Sequence, residues 1–404
     1  MNALARLAAS LRTADWRRPE ILLLLMASAV PLSFATWSNL INNFAVERAA
    51  FTGAEIGMLQ SLREIPGFLA FAVVLVLLVM REQSVALWSL LLLGLGTALT
   101  GFFPSVLGLY CTTVIMSIGF HYYETIQSSL ALQWIPKERA PETLGRILAV
   151  GSFTGILAYL FIMLAFSVLG LDFKAVYVIG GGLTCLIALF CWRAFPHFEA
   201  EVVQHRKVLL RARYWLYYAL TFFSGARRQI FVVFAGFLLV EKFGYSVAAI
   251  SALFFINGAF NMWFAPKIGR LIARWGERSA LVFEYVGLIG IFTAYAFVED
   301  AGIAGALYVF DHLFFAFSIA IKTYFQKIAD PADIASTAAV GFTINHIAAV
   351  IIPVVFGLIW LTSPAFVFLA GAAMAAVSLM LSLAVPRTPQ PGRETALSRA
   401  ADPV

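Results

Sequence analysis

Twelve stretches of this chain are long and apolar enough to cross a lipid bilayer, and that count constrains the fold more than any motif does. They run roughly over residues 20–46, 53–80, 83–103, 105–135, 143–170, 173–193, 214–241, 246–266, 280–298, 302–327, 334–360 and 363–385. A helix needs about 20 predominantly apolar residues to span the hydrocarbon core, and each stretch supplies them. The expected fold class is an all-α polytopic membrane protein of 12 transmembrane helices. Composition closes the alternative of a soluble domain: 61% of the residues are hydrophobic and only 12% charged. Met1 to Glu20 is a short basic segment without an apolar core, so no cleavable signal peptide is expected. Cys111, Cys185 and Cys191 all fall in apolar stretches, which argues against a disulfide framework or a Cys/His metal site.

The charges orient the chain. Of the 28 Lys and Arg, 21 lie at the N-terminus, in the even-to-odd loops or at the C-terminus, among them Arg17, Arg18, Arg211, Arg213 and Lys267. The opposite loops hold three, Arg48, Lys174 and Lys242. By the positive-inside rule both termini are expected in the cytoplasm, with the chain in a cell inner membrane. The net charge of +6 is then a matter of orientation and not of nucleic-acid binding.

The longest polar connection divides the stretches six and six. The expected organisation is a cytoplasmic N-terminal segment 1–19, a six-helix bundle 20–193, a cytoplasmic linker 194–213, a second six-helix bundle 214–385 and a cytoplasmic tail 386–404. The halves also echo each other. Glu47-Arg48 and Glu241-Lys242 each end the first stretch of their half, and the same spacing of 194 pairs Ile56 with Ile250. Leu109-Tyr110 matches Leu307-Tyr308, a spacing that sets Glu124 opposite Lys322, and Ala149-Val150-Gly151 matches Ala339-Val340-Gly341. Parallel six-helix repeats suit a transporter whose halves rock about a central site.

The loop Gly269-Arg270-Leu271-Ile272-Ala273-Arg274-Trp275-Gly276-Glu277-Arg278 resembles the cytoplasmic loop motif of the major facilitator superfamily, Gly-x-Leu-x-Asp-Arg-x-Gly-Arg-Arg. It lies between the eighth and ninth stretches, one of the two places where that family carries it. It departs at Ala273, where the family usually has Asp, and at Glu277, where a basic residue is common; the corresponding N-terminal loop, Leu75 to Arg81, has lost the motif. The resemblance implies that Gly269, Arg270, Arg274, Gly276 and Arg278 form a gating loop on the cytoplasmic side. It also implies that the first, fourth, seventh and tenth helices line a central cavity.

Inside the seventh stretch stand two adjacent arginines, Arg227 and Arg228, near the midpoint of an otherwise apolar run. A charge at that depth costs roughly 2.5–3.5 kcal/mol on insertion scales unless it meets water, an acid or a ligand. They project about 100° apart on a helix, so one is expected to meet substrate and the other an acid, with Asp311 the first choice. The fourth stretch carries Glu124 with His121 one turn earlier. Asp311, Ser318 and Lys322, spaced seven and four apart, are expected to form one stripe along the tenth. Arg63 and Glu64 sit in the second. Buried charges must be paired or hydrated, so an interlocking set is expected. Substrate contacts are assigned to Arg227, Arg228, Lys322, Tyr123 and Phe223; proton coupling or charge pairing to Glu124, His121, Asp311, Arg63 and Glu64. His312 and His346 have the plainer reading of helix-packing groups. Pro31, Pro66 and Pro353 interrupt apolar helices, and Gly151, Gly155 and Gly180-Gly181-Gly182 permit close helix approach.

Guanidinium matches carboxylate and phosphate in a bidentate fork, so the expected function is secondary transport of a small organic anion of carboxylate or organophosphate type, with proton coupling. The alternatives are a proton-driven exporter of amphipathic drugs or metabolites, and a non-transporting sensor or assembly factor of the same fold. No His-Glu-x-x-His pair and no Gly-x-x-x-x-Gly-Lys loop occurs, so neither an enzyme nor a nucleotide-driven pump is expected. The expected partners are a small anionic molecule, protons and the lipid bilayer, with no nucleic acid, no cofactor and no metal, in a monomer.

Overall fold

The computed structural model describes residues 16–135, 140–198, 210–330 and 334–396. The segment 1–19, the linker 194–213 and the last part of the tail 386–404 fall largely outside these. The described chain is helical, save an isolated bridge between Gln390 and Arg393. In order the helices are α1 (Pro19–Ala49), α2 (Gly53–Phe68), α3 (Val73–Leu77), α4 (Glu82–Thr100), α5 (Val106–Trp134), α6 (Ala140–Ser167) and α7 (Phe173–Ala194). There follow α8 (Trp215–Gln229), α9 (Gly236–Glu241), α10 (Val247–Trp275), α11 (Glu277–Phe297), α12 (Ala301–Phe315), α13 (Ile319–Ile328), α14 (Ile334–Trp360) and α15 (Pro364–Leu383).

Among the described residues, eleven helical spans are long and apolar enough to cross a membrane. The second of the twelve stretches is built differently. α2 ends two residues after Pro66, and a 3-10 turn, Ala70–Ala72, leads into the short α3. A proline inside a helix removes one backbone donor and crowds the carbonyl of the preceding turn, which favours a break there. The tenth stretch is broken as well, by a 3-10 turn at Ala316–Ser318 between α12 and α13. Three residues wound at about 120° in place of 100° rotate everything beyond them by about 60°. The expected single stripe is therefore split: Asp311 is buried, Ser318 is half-buried and Lys322 is exposed.

The chain falls into two compact units, one of Met1–Ser38, Leu69–Phe103 and Cys111–Gln204, the other of Asn39–Phe68, Pro104–Tyr110 and His205–Val404. In the first, α4 packs on α7 with their backbones in contact: a Cβ at Gly94 would lie 2.6 Å from the Gly181 carbonyl oxygen. Small residues allow that approach where lipid supplies no hydrophobic force to press helices together. Polar bonds add to it. Ser33 Oγ donates to Thr184 Oγ1 at 2.8 Å, and Thr184 Oγ1 to the Ala29 carbonyl at 2.8 Å. Gly182, by contrast, faces open space.

In the second unit α2 packs on α14, and α11 on α15. A Cβ at Gly57 would collide with the Pro353 carbonyl oxygen, so α14 lies directly on the glycine face of α2. Beside the Pro353 position, Val354 N–H donates to Ser61 Oγ at 3.0 Å, one way a neighbouring helix satisfies the backbone near a membrane proline. Asn39 and Asn43 of α1 bind Ser251 Oγ at 2.9 Å and the Tyr245 carbonyl at 2.7 Å. Side chains cap several helix starts among the described residues: Ser105 accepts from Gly108 N–H, Asp172 from Ala175 N–H, Ser246 from Ala249 N–H and Asp300 from Ile303 N–H.

Candidate functional site

The span Ala212–Glu241 carries both arginines and is the most enclosed of the eleven, with 83% of its most apolar window buried against 22–61% in the others. It is not a uniform helix. Directly after Gln229 the winding widens into a π-helical turn, Ile230–Ala235, before α9 resumes. Such turns are rare and occur frequently at functional sites.

The two arginines have different surroundings. Arg227 is 1% exposed, and its Nη2 donates to Glu284 Oε1 at 2.9 Å. Its guanidinium also lies over the Tyr285 ring, 4.9 Å from the centroid, as a cation–π contact. The acid that meets Arg227 is thus Glu284 and not the expected first choice. Asp311 of α12 is also buried and close enough for its charge to act on both Arg227 and Glu284. Arg228, about a third of a turn further on, is exposed, with its guanidinium 5.6 Å from the centroid of the Phe315 ring.

Glu284 was legible in part. Ala280, Leu281, Leu288, Ile291, Phe292 and Tyr295 form the buried stripe of α11, and Glu284 falls within it at helical spacing. A carboxylate in an apolar stripe demands a cationic partner, but the stripe does not say which one.

Between α8, the π-helical turn, α11 and α12 lies a cavity of about 110 Å³. Arg227, Arg228, Asp311 and His312 supply its polar lining; Phe231, Val232, Leu288, Phe292 and Phe315 supply the apolar part. Four buried polar atoms of this cluster make no hydrogen bond among the described residues: Arg227 Nη1, Glu284 Oε2, Tyr285 OH and Asp311 Oδ1. Two guanidiniums disfavour a metal cation here. A guanidinium can bind carboxylate or phosphate oxygens in a bidentate fork.

The other sequence-chosen residues lie elsewhere. Arg63 and Glu64, both buried, form an ion pair with each other on α2, and His346 Nε2 stands 3.8 Å from Glu64 Oε2. His121 is buried with its ring edge-on to Phe120, itself stacked on Phe34, whereas Glu124, one turn on, is exposed. Tyr123 is buried in the first unit. Phe223 is half-buried against Phe222 and does not line the cavity; neither does Lys322. In the loop, Arg270 and Arg274 are exposed, Gly269 and Arg278 half-buried, and Gly276 adopts φ +79°, a conformation that only glycine takes without strain. Glu277 beside it is buried and bonded to Lys327 Nζ of α13 at 2.7 Å. The departure from the motif thus supplies a carboxylate that ties α11 to α13.

Residues 21–353 match the family model of the Major Facilitator Superfamily. No curated protein matches the sequence. In fold the chain is similar to the nucleoside transporter NupG, at 17% identity and TM-score 0.72 over 91% of this chain and 98% of that one. It is also similar to a bacterial homolog of the human lysosomal transporter Spinster in an inward-facing, unoccupied conformation, at 15% identity and TM-score 0.67 over 90% and 94%. An auto-inhibited peptide transporter of the POT family follows, at 14% identity and TM-score 0.65 over 90% and 96%. At these identities the likeness is one of fold.

Proposed function

The chain belongs to the Major Facilitator Superfamily, a multi-pass membrane transporter of the secondary kind and not an enzyme, and on that premise we propose that it carries a small organic anion. The observation that carries this reading is the cavity in which Arg227 and Arg228 meet an apolar wall. Arg228 is assigned the substrate's charged group. Arg227, braced by Glu284, adds a positive field from within. Phe231, Phe292 and Phe315 are assigned the apolar body of a carboxylate, or the organic part of a phosphate ester. Alternating access moves the site from one face of the membrane to the other. The distribution of Lys and Arg supports cytoplasmic termini and an inner-membrane location.

The test is thermal stabilisation of the purified protein by a panel of organic anions, cations and neutral solutes. An anion that stabilises the wild type but not Arg228→Ala supports the assignment. The same phenylalanines also favour a second reading, an uncharged aromatic solute or amphiphile, which stabilisation by neutral compounds alone, retained in Arg228→Ala, would select.

A further inference from the structure

We infer that Trp360, which does not line the cavity, is a positioning residue for it: through Phe234 it holds the π-helical turn that places the apolar wall, and so sets which organic body the site accepts. The inference rests on the anion reading above and names the residue that governs its apolar half.

The π-helical turn has two sides. Phe231 and Val232 lie along the cavity, whereas Phe234, fully buried, does not. In an α-helix residues three apart share a face, separated by about 60°. The wider winding of a π-helical turn opens that angle, so one ring meets the cavity while the other meets the packing behind it. Tightening of the turn to α would swing Phe231 toward Phe234 and away from the body of the anion.

The backing of Phe234 is Trp360, at the end of α14. The two rings stack at 5.3 Å between centroids and 23° between planes. Trp360 is 4% exposed and is held in place by several elements. Its Nε1–H donates to Glu241 Oε2 of α9 at 2.9 Å, and the Phe237 ring of α9 meets it edge-on at 5.6 Å. Phe368 of α15 stands edge-on at 6.0 Å and stacks in turn on Tyr295 of α11 at 5.0 Å. A Cβ at Gly53 of α2 would collide with the indole. π-Helical winding is rare and lasts where the surrounding packing selects it. Behind this turn, that packing is the fixed indole.

The cavity side offers less support. Tyr308 of α12 lies against Phe231 at 4.8 Å, but Val232 is 38% exposed. The charged half of the site is braced separately: Arg227 precedes the turn on α8 and is bonded to Glu284 of α11. Wall and charge thus have different supports, Trp360 for the first and Glu284 for the second. Loss of Trp360 should therefore change selectivity for the organic body and leave the grip on the charged group.

The test uses the full-length protein in nanodiscs, with benzoate and acetate as probes and calorimetry, by displacement for the weaker one, as readout. In Trp360→Leu the preference for benzoate over acetate is expected to fall about two- to tenfold, with acetate binding unchanged. Trp360→Phe keeps a ring against Phe234 and should keep the preference. A second readout needs no ligand: Val232→Cys, in a protein whose Cys111, Cys185 and Cys191 are replaced by alanine, is labelled with a water-soluble methanethiosulfonate. Its labelling should be faster in Trp360→Leu, because the Phe231 ring beside it withdraws, and should return to the original rate in Trp360→Phe. Both anions weakened equally, or neither weakened, overturns the inference and leaves the anion reading standing. An unchanged labelling rate overturns it whatever the anions do. No anion bound by the wild type overturns the anion reading, and the labelling rate then decides the role of Trp360 alone. Where Trp360→Leu does not fold, Phe234→Leu removes the same stack from the other side and is read in the same way.

Discussion

Among its described residues the second unit contains two buried arginine–carboxylate pairs that solve the same problem in opposite ways. Arg63 and Glu64 are neighbours in sequence on α2 and neutralise each other within one helix. Arg227 and Glu284 lie 57 residues apart, on α8 and α11, and their bond ties two helices together at the edge of a cavity. A local pair keeps its own contact when its helix moves, although Glu64 also has His346 Nε2 of α14 at 3.8 Å. A distant pair holds only while both helices keep their places, and either partner left behind is a buried charge without compensation. The first kind makes a helix tolerable in lipid. The second makes the packing of helices depend on charge, which is what a site that senses an ion requires.

Removing one partner of each pair separates these roles. The largest effect is expected for Glu284→Leu, which leaves Arg227 buried alone and should cost about 3–5 kcal/mol in unfolding experiments. The double variant Arg227→Met with Glu284→Leu should recover most of that stability yet abolish anion binding. A double variant no more stable than Glu284→Leu would show that the pair holds nothing together. Next comes Arg63→Met, where the remaining Glu64 has His346 Nε2 at 3.8 Å as a second neighbour. A loss of about 1–3 kcal/mol is expected, as for a buried acceptor deprived of its donor, with anion binding unchanged. A loss as large as that of Glu284→Leu would erase the contrast between local and distant pairs. The smallest effect is expected for Lys327→Met, whose Nζ lies on a half-exposed side chain opposite buried Glu277. Glu277 stands in the first turn of α11, where the helix dipole supports its charge, so a loss below about 1 kcal/mol is expected in thermal melts.

A similar contrast separates the helix interfaces. Gly57 of α2 is covered by the Pro353 carbonyl, whereas Gly182 of α7 faces open space. Gly57→Leu should therefore destabilise by about 1–3 kcal/mol through forced displacement of α14, and Gly182→Leu should leave the melting temperature of the protein nearly unchanged.

Much of the architecture was legible in the sequence because its cause is local. Hydrophobicity is summed over some twenty consecutive residues, so the membrane-crossing stretches declare themselves without reference to the rest of the chain. The same holds for the loop at Gly269 to Arg278, on which the family resemblance rested. The arginine pair announced charge buried at depth for an equally local reason, two charges in an apolar run. The difference in surroundings between the two arginines was not local. It depends on Glu284, brought to Arg227 by the packing of α8 and α11, and no spacing along the chain predicts that meeting.

Backbone winding was hidden for a related reason. Ideal helical spacing placed Asp311 and Lys322 on one stripe, but the 3-10 turn at Ala316–Ser318 rotates them apart, and the π-helical turn at Ile230–Ala235 follows the arginines without a proline or a glycine pair to mark it. Such turns differ from an α-helix by one hydrogen-bond register, a small energy that neighbouring helices decide. By itself the sequence determined that this chain is a many-helix membrane protein with charge held at depth in its seventh span, because transfer of residues into lipid is additive along the chain. Which charges meet, which arginine is buried and which is exposed, and where the helices change their winding were decided by tertiary structure alone, because those energies exist only once distant helices are in contact.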